Sequence, residues 1–478
     1  MQTPVYSYPQ LFINGQWLSS ASAQPHIDVI NPANGQIVAT TANANQQDVD
    51  RAISAAKSAF AHWSVTTAEQ RKQWILAIAD EMQNRFSDLT RAISLTMGCP
   101  YEISKDAQVQ SAIDAFREFA DLAHVAEAAE TVGNVIQNHL AVGVCVLINP
   151  WNYPLSQLVG KLGPALAAGC TVVVKPSEQT PIQDLIIAEI IEKIGLPAGV
   201  FNVITGYGAD IGSHLCAHPD VDMVSFTGST AAGVKVAQAA APSVKRVCQE
   251  LGGKSPYIIT EDANLEAAVR YGVEDVMFNS GQTCSALTRM LVPKSQYQQI
   301  LDIAKRVCEE NIVGDPADPK TTMGPLSSKR QQQRVLEYIQ TGIDEGARLL
   351  TGGLELPEEL QQGAYVMPTI FTDVSNDMTI AREEIFGPVL CIIPYTDEEE
   401  AIKIANDTIY GLSSSVYAKD PQSALALARQ IRAGQCFIQG AYFTTKAPFG
   451  GFKQSGNGRE WGLEGLKEFL ELQAIIMP

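Results

Sequence analysis

Val142-Gly143-Val144-Cys145-Val146-Leu147-Ile148-Asn149-Pro150-Trp151-Asn152-Tyr153-Pro154 is an apolar run that halts at an Asn-Pro turn and leads into Leu155–Ala168, a stretch of helical composition. A short apolar run bounded by turn residues reads as a strand buried on both faces. The pattern repeats downstream. Apolar runs at Thr171–Val174, Phe201–Ile204, Met223–Phe226 and Tyr257–Ile259 are separated by helical stretches at Ile182–Ile194, Ala209–Cys216 and Ala231–Ala240. Strand and helix alternating at this interval imply right-handed βαβ units on a parallel sheet. The helix from Ile182 is punctuated at both ends, with Pro181 ahead of it, Gly195 behind and Pro197 beyond.

Outward from this region the texture changes. Leu11-Phe12-Ile13-Asn14-Gly15-Gln16-Trp17 predicts a hairpin about Asn14-Gly15, a dipeptide that accepts positive φ. Long amphipathic helices follow, one capped by Asp48 and running through Ala52, Ile53, Ala56 and Phe60, the next carrying Trp74, Ile78 and Met82. A second alternating region begins after Gly253, carries Cys284 and reaches about Gly451. The stretches 120–140 and 465–478 fit neither unit. Both read as extended pieces suited to pairing with another subunit.

The bulk properties exclude several functions. A chain of 478 residues, 46% apolar, is long enough for two to four domains with real cores. Its net charge of −18 would repel nucleic acid and anionic membranes. Met1–Pro9 lacks the basic flank and apolar run of a signal peptide, and no stretch is apolar for long enough to span a bilayer. Cys99, Cys145, Cys170, Cys216, Cys248, Cys284, Cys308, Cys391 and Cys436 are scattered, without a Cys-x-x-Cys pair. That usage fits reduced thiols in the cytoplasm and gives a metal no ligand set.

Several residues are able to carry chemistry. Cys284 in Phe278-Asn279-Ser280-Gly281-Gln282-Thr283-Cys284-Ser285 offers a nucleophile, and Glu250 in Glu250-Leu251-Gly252-Gly253-Lys254 offers a base. Attack on a carbonyl needs a thiolate, and breakdown of the resulting thioester needs activated water. A buried structural thiol and a surface carboxylate are the plain alternatives. Asn152 follows a strand and can aim its amide at an oxyanion, or simply make a turn between two prolines. Gly228 and Ser229 in Phe226-Thr227-Gly228-Ser229-Thr230 open a helix where free amides favour a pyrophosphate, and a bare N-cap explains them equally. Lys175 and Glu178 end another strand, with a ribose diol or a solvated turn as the two readings. Gly206-Tyr207-Gly208-Ala209-Asp210-Ile211-Gly212 is spaced GxGxxxG, a weak dinucleotide signal that backbone geometry also accounts for.

Taken together, the chain resembles the aldehyde dehydrogenase superfamily over nearly its whole length. The motifs that carry the resemblance are Pro150-Trp151-Asn152, Lys175-Pro176-Ser177-Glu178, Phe226-Thr227-Gly228-Ser229-Thr230, Glu250-Leu251-Gly252-Gly253-Lys254, Gly281-Gln282-Thr283-Cys284, Glu383-Glu384-Ile385-Phe386-Gly387-Pro388 and Pro448-Phe449-Gly450-Gly451. The resemblance implies an α/β fold: a Rossmann-like parallel-sheet NAD-binding domain over 1–119 and 141–252, a second α/β catalytic domain over 253–453 that carries the nucleophilic cysteine, and a small β oligomerisation extension from 120–140 and 454–478. By the same resemblance Cys284 forms a thiohemiacetal, the Cys284 amide and Asn152 hold the oxyanion, and Glu250 activates water against the thioester. Cofactor contacts would come from Trp151, Lys175, Ser177, Glu178, Gly228, Ser229, Leu251, Glu384 and Phe386. A carboxylate at Glu178 would repel a 2′-phosphate, so NAD is favoured, with NADP as the alternative.

The substrate pocket implied in this way comprises Tyr153, Gln157, Gly160, Phe278, Thr283, Ser285, Phe443 and Phe449. Gly160 stands where many relatives place a large aromatic, which implies a roomier channel or one closed by another residue. Thr283 lacks the cationic side chain that receives acidic aldehydes, so aliphatic or aromatic aldehydes lead over semialdehydes. Gln249 and Gln439-Gly440-Ala441 depart from the family pattern and bear on the tunnel wall. The partners implied are a small-molecule aldehyde and further copies of the chain, as a homodimer or homotetramer. The competing functions are a CoA-acylating dehydrogenase, which generally lacks this Glu, a nucleotide-independent cysteine hydrolase, which leaves Lys175 and Glu178 unexplained, and a silent structural protein on the same fold.

Overall fold

The computed structural model describes residues 5–478, so the first four residues of the Met1–Pro9 stretch lie outside it. The opening apolar run forms the strand Val144–Ile148 at the centre of an eight-stranded sheet. Its successive side chains alternate between two cores. Cys145 and Leu147 face the helices Pro154–Ala168 and Ile182–Ile194, while Val144, Val146 and Ile148 face the helices Gln46–Trp63 and Gly208–Ala217. With both faces covered, every position must be apolar, which explains a run without polar alternation.

Five strands of this sheet are parallel, in the spatial order Arg246–Glu250, Met223–Thr227, Val144–Ile148, Thr171–Lys175, Phe201–Val203. Chain order reverses between Val144–Ile148 and Met223–Thr227, and a crevice for ligands opens at the carboxyl ends of strands at such a point. Antiparallel strands close the edges, Gly456–Asn457 on one side and the hairpin Gln10–Ile13 with Gln16–Ser19 on the other. The hairpin turns at Asn14 and Gly15, whose φ angles are +54° and +72°, as the Asn-Gly dipeptide predicted.

The helix Gln46–Trp63 begins differently from its prediction. Asn45 is the N-cap, accepting the amides of Gln47 and Asp48, and Asp48 is the third helical residue, whose buried carboxylate returns to the Asn45 amide at 3.0 Å. This reciprocal capping box uses both residues, so the acid that looked like the cap is its second half.

The second sheet has seven strands in the order Arg348–Thr351, Thr369–Thr372, Val389–Tyr395, Arg289–Pro293, Pro256–Ile259, Ser415–Tyr417, Phe437–Ile438, parallel except at the first pair. A third, small antiparallel sheet joins Glu130–Val132, Val135–Ala141 and Leu470–Ile476. The tail therefore splits. Gly456–Asn457 and the helix Gly462–Lys467 pack on the first unit, and only Leu470–Ile476 reaches the small sheet. In that strand Leu472 and Ile476 are 60% and 74% exposed. Among the described residues no helix is long and apolar enough to cross a membrane.

Candidate active site

Strand ends set out the site. Glu250 is the last residue of Arg246–Glu250, Thr227 of Met223–Thr227 and Lys175 of Thr171–Lys175, and Asn149 follows Val144–Ile148 directly. Cys284 comes from the other unit, on the loop after the helix Leu265–Met277. That loop coils tightly: Asn279, Ser280 and Gly281 all have left-handed φ, at +52°, +57° and +71°. Such a conformation is costly for the two non-glycine residues and is held by its surroundings. A Cβ on Gly281 would overlap the Gly387 carbonyl, and one on Gly253 would overlap the Cys284 carbonyl.

The Asn152 side chain ties the two units together. Its Nδ2 donates to the Gln282 carbonyl at 2.9 Å, two residues before Cys284. The Asn152 backbone carbonyl accepts from Gln108 Nε2 and Asn279 Nδ2, both at 3.1 Å. Gln108 reaches this point from a π-helical turn, Ser104–Gln110, a distortion frequent at functional sites. Tyr153 Oη and Thr283 Oγ1 share a hydrogen bond of 2.6 Å across the same junction.

Cys284 and Tyr153, Gln157, Phe278, Thr283, Ser285, Phe443 and Phe449 line one cavity of about 620 Å³. Of the pocket residues expected from sequence, Gly160 alone is absent from its wall. Trp461 stands there instead, pressed against the glycine. Tyr271, Phe437 and Tyr442 add further aromatic wall, and Asp106, Glu274 and Asp275 bring carboxylates, with no Lys or Arg among the lining residues.

Glu250 is buried, and neither of its carboxylate oxygens has a hydrogen-bond partner. Burial, then the charge of Glu460, pushes its pKa well above the carboxylate range, while Lys161 and Arg459 pull the other way. Lys161 Nζ pairs with Glu460 Oε1 at 2.8 Å inside the protein and also reaches Gln157 Oε1 at 3.1 Å. Neither member of that pair was singled out from sequence. Lys161 does carry a signal, as the one charge in the Pro154–Ala168 helix. Burial also pushes the Cys284 thiol up, with Glu384, Glu250 and Glu460 adding to the shift, so this thiol ionises only as its proton is taken.

The expected cofactor residues gather along the carboxyl edge of the first sheet and the facing loop. Lys175 is buried, donates to the Pro176 carbonyl at 2.8 Å and sits 3.8 Å from the Glu178 carboxylate. Ser177 is buried on the same turn. Ser229 caps the helix Thr230–Ala240, its Oγ accepting the Ala232 amide, and Gly228 donates to the Glu250 carbonyl at 3.0 Å. Leu251 is buried, and its amide donates to Ser455. Glu384 Oε1 accepts the Gly253 amide at 2.9 Å, and burial raises its carboxyl to about 7. Phe386, at φ +62°, meets Trp151 edge-on with centroids 5.3 Å apart. Gly208, of the GxGxxxG run, lies against Lys175.

A family model described as the aldehyde dehydrogenase family matches residues 17–475. The 3-succinoylsemialdehyde-pyridine dehydrogenase of a Pseudomonas species is 45% identical over 470 residues, 98% of each chain. Among solved structures, a cysteine-to-alanine mutant of aldehyde dehydrogenase C from Pseudomonas syringae, complexed with NAD+ and octanal, superposes with a TM-score of 0.96 at 45% identity, covering 98% of this chain and 96% of that one. A point mutant of betaine aldehyde dehydrogenase from Staphylococcus aureus, in complex with NAD+, gives 0.94 at 36% identity, over 98% and 95% of the two chains.

Proposed function

The chain belongs to the aldehyde dehydrogenase family, and on that premise we propose that it oxidises an uncharged aliphatic or aromatic aldehyde to the carboxylic acid through a thioester on Cys284, with NAD preferred to NADP. The observation that carries this reading is the placement of Cys284 in the wall of the aromatic cavity, on a loop bonded to the Asn152 amide.

The aldehyde enters along the aromatic wall, and Cys284 Sγ bonds to its carbonyl carbon as the thiol proton passes to a carboxylate. The free N–H of Asn152 and the Cys284 amide then face the oxygen that gains charge. Bound NAD supplies the hydride acceptor for the oxidation. Glu250, its pKa raised by burial, takes a proton from water, which attacks the thioester carbon and releases the acid and the Cys284 thiol. Lys161 and Glu460 hold the field around Glu250, and so position its proton without touching substrate.

The strand-end residues suit a dinucleotide. The helix N-terminus at Ser229 offers amides to a pyrophosphate, and Lys175 with Glu178 offers a cation and a carboxylate to a ribose. The Glu178 charge favours a free 2′-hydroxyl. A lining rich in carboxylates and without cations disfavours acidic semialdehydes, and the presence of Glu250 disfavours transfer to CoA. The free, apolar strand Leu470–Ile476 supports a homodimer or homotetramer built on the small sheet, and nine scattered free cysteines suit the reducing cytoplasm. The separation of the strands into distinct sheets supports a division into a cofactor unit, a catalytic unit and an oligomerisation piece, and the packing of Gly462–Lys467 favours counting residues 454–469 with the first.

Steady-state kinetics over a panel of aldehydes with both nucleotides tests this reading. NADH formation with free acid as product, at a higher kcat/KM for NAD than for NADP, is expected. Acyl-CoA as the preferred product, or ester hydrolysis alone, would overturn it.

A further inference from the structure

Gly160 and Gly163 lie three residues apart on the helix Pro154–Ala168 and so share one of its faces. Each takes an aromatic ring where a side chain would stand. A Cβ at Gly163 would overlap the Phe119 ring, and one at Gly160 would come within 2.9 Å of the Trp461 indole. Phe119 and Trp461 stack on each other, centroids 6.1 Å and planes 20° apart, and Trp461 also meets Phe443 at 6.2 Å and 76°. The indole is only 3% exposed, yet it lines the cavity that holds Cys284. Its backbone sits at φ +64°, a left-handed conformation rare for a bulky residue and one the packing must hold in place.

Braced by a helix, a stacked ring and a third ring at its edge, this indole cannot swing aside. We infer that Trp461, seated in the notch left by Gly160, sets the bore of the aldehyde tunnel and is the residue that selects slender aldehydes over thick ones. The inference rests on reading that cavity as the aldehyde site. It also assigns the notch a physical role: without it the indole would be displaced into the tunnel. At the position of Gly160 the wall of the tunnel is thereby supplied from the segment that leads to the small sheet, not from the helix.

The test compares kcat/KM for heptanal and for its ring-closed counterpart cyclohexanecarbaldehyde, both with NAD. Because the two share every chemical step, a general disturbance of the site lowers both and leaves their ratio alone. Trp461→Leu is expected to shift the ratio towards the ring by about tenfold or more, the scale of about one methylene of fit in an apolar pocket. Gly160→Ala, which pushes the indole inward, is expected to shift it the other way. The double variant Gly160→Trp, Trp461→Gly returns the indole from the opposite side and is expected to restore the native preference. Should Trp461→Leu not fold, the sign of the Gly160→Ala shift still decides. A ratio unmoved in the folded variants, with heptanal still oxidised, would overturn the inference. A native enzyme that oxidises neither aldehyde would instead overturn the reading of the cavity itself.

Discussion

Glu250 is a carboxyl without a partner, and that is what suits it to its proposed work. A base that is fully hydrogen-bonded would stay ionised at low pH and have little affinity for a proton from water. Burial and the neighbouring Glu460 raise the Glu250 pKa, so the group becomes competent only as pH climbs through that raised value. Turnover of the native enzyme is expected to fall as pH is lowered through that value, and the corresponding limb is expected to vanish in Glu250→Gln, alongside a loss of about 10²–10⁴-fold in kcat. Pre-equilibrated pH profiles of both proteins check this. A native profile unchanged by the substitution would assign the base elsewhere.

Elements meet at charges that only the fold brings together. Asp184, on the helix Ile182–Ile194, is fully buried under the loop after Val144–Ile148, accepting from Asn149 Nδ2 at 3.3 Å and Gln183 Nε2 at 2.6 Å. Burial raises its carboxyl from the ordinary carboxylate range to about 7. The folded chain thus binds a proton there that the unfolded chain has released, and stability contributed by this group declines as pH rises through that window. For Asp184→Asn the difference in melting temperature, variant minus native, is expected to increase from about pH 5 to about pH 8, against a total electrostatic effect on the order of a few kcal/mol. A difference that stays flat would show that Asp184 is ionised in the folded protein throughout.

At this scale the sequence was legible in part. The continuous apolar strands and the proline and glycine punctuation of Ile182–Ile194 placed the parallel sheet, because burial on both faces and backbone constraints are local properties. Asp48 passes for the cap in place of Asn45 because a capping box uses two polar residues three apart, and composition does not say which comes first. Lys161 and Glu460 are separated by 299 positions, and no periodicity links them; the pair exists only because Gly462–Lys467 folds back on Pro154–Ala168. Gly160 showed a missing side chain, while Trp461 owes its place to a left-handed backbone that its sequence does not announce.

For the whole molecule, the small sheet is the exposed feature that monomeric packing leaves unexplained. Leu470–Ile476 pairs with Val135–Ala141 along its full length, yet keeps Leu472 and Ile476 in water. Exposed apolar groups on a sheet invite a second copy. The double variant Leu472→Asp, Ile476→Asp is expected to lower the mass measured by size exclusion with light scattering, while the fold of each chain is kept. An unchanged assembly would place the interface elsewhere.

The central claim is that the carbon of the substrate is carried on one sulfur until Glu250 lets water in. Glu250→Gln mixed rapidly with NAD and an aldehyde that the native enzyme oxidises, followed by absorbance and by mass spectrometry of the quenched protein, tests it most directly. A burst of NADH near one per active site, with the acyl mass on the peptide containing Cys284, is the predicted result. Steady NADH formation without a bound acyl group, or a label on any other cysteine, would contradict it.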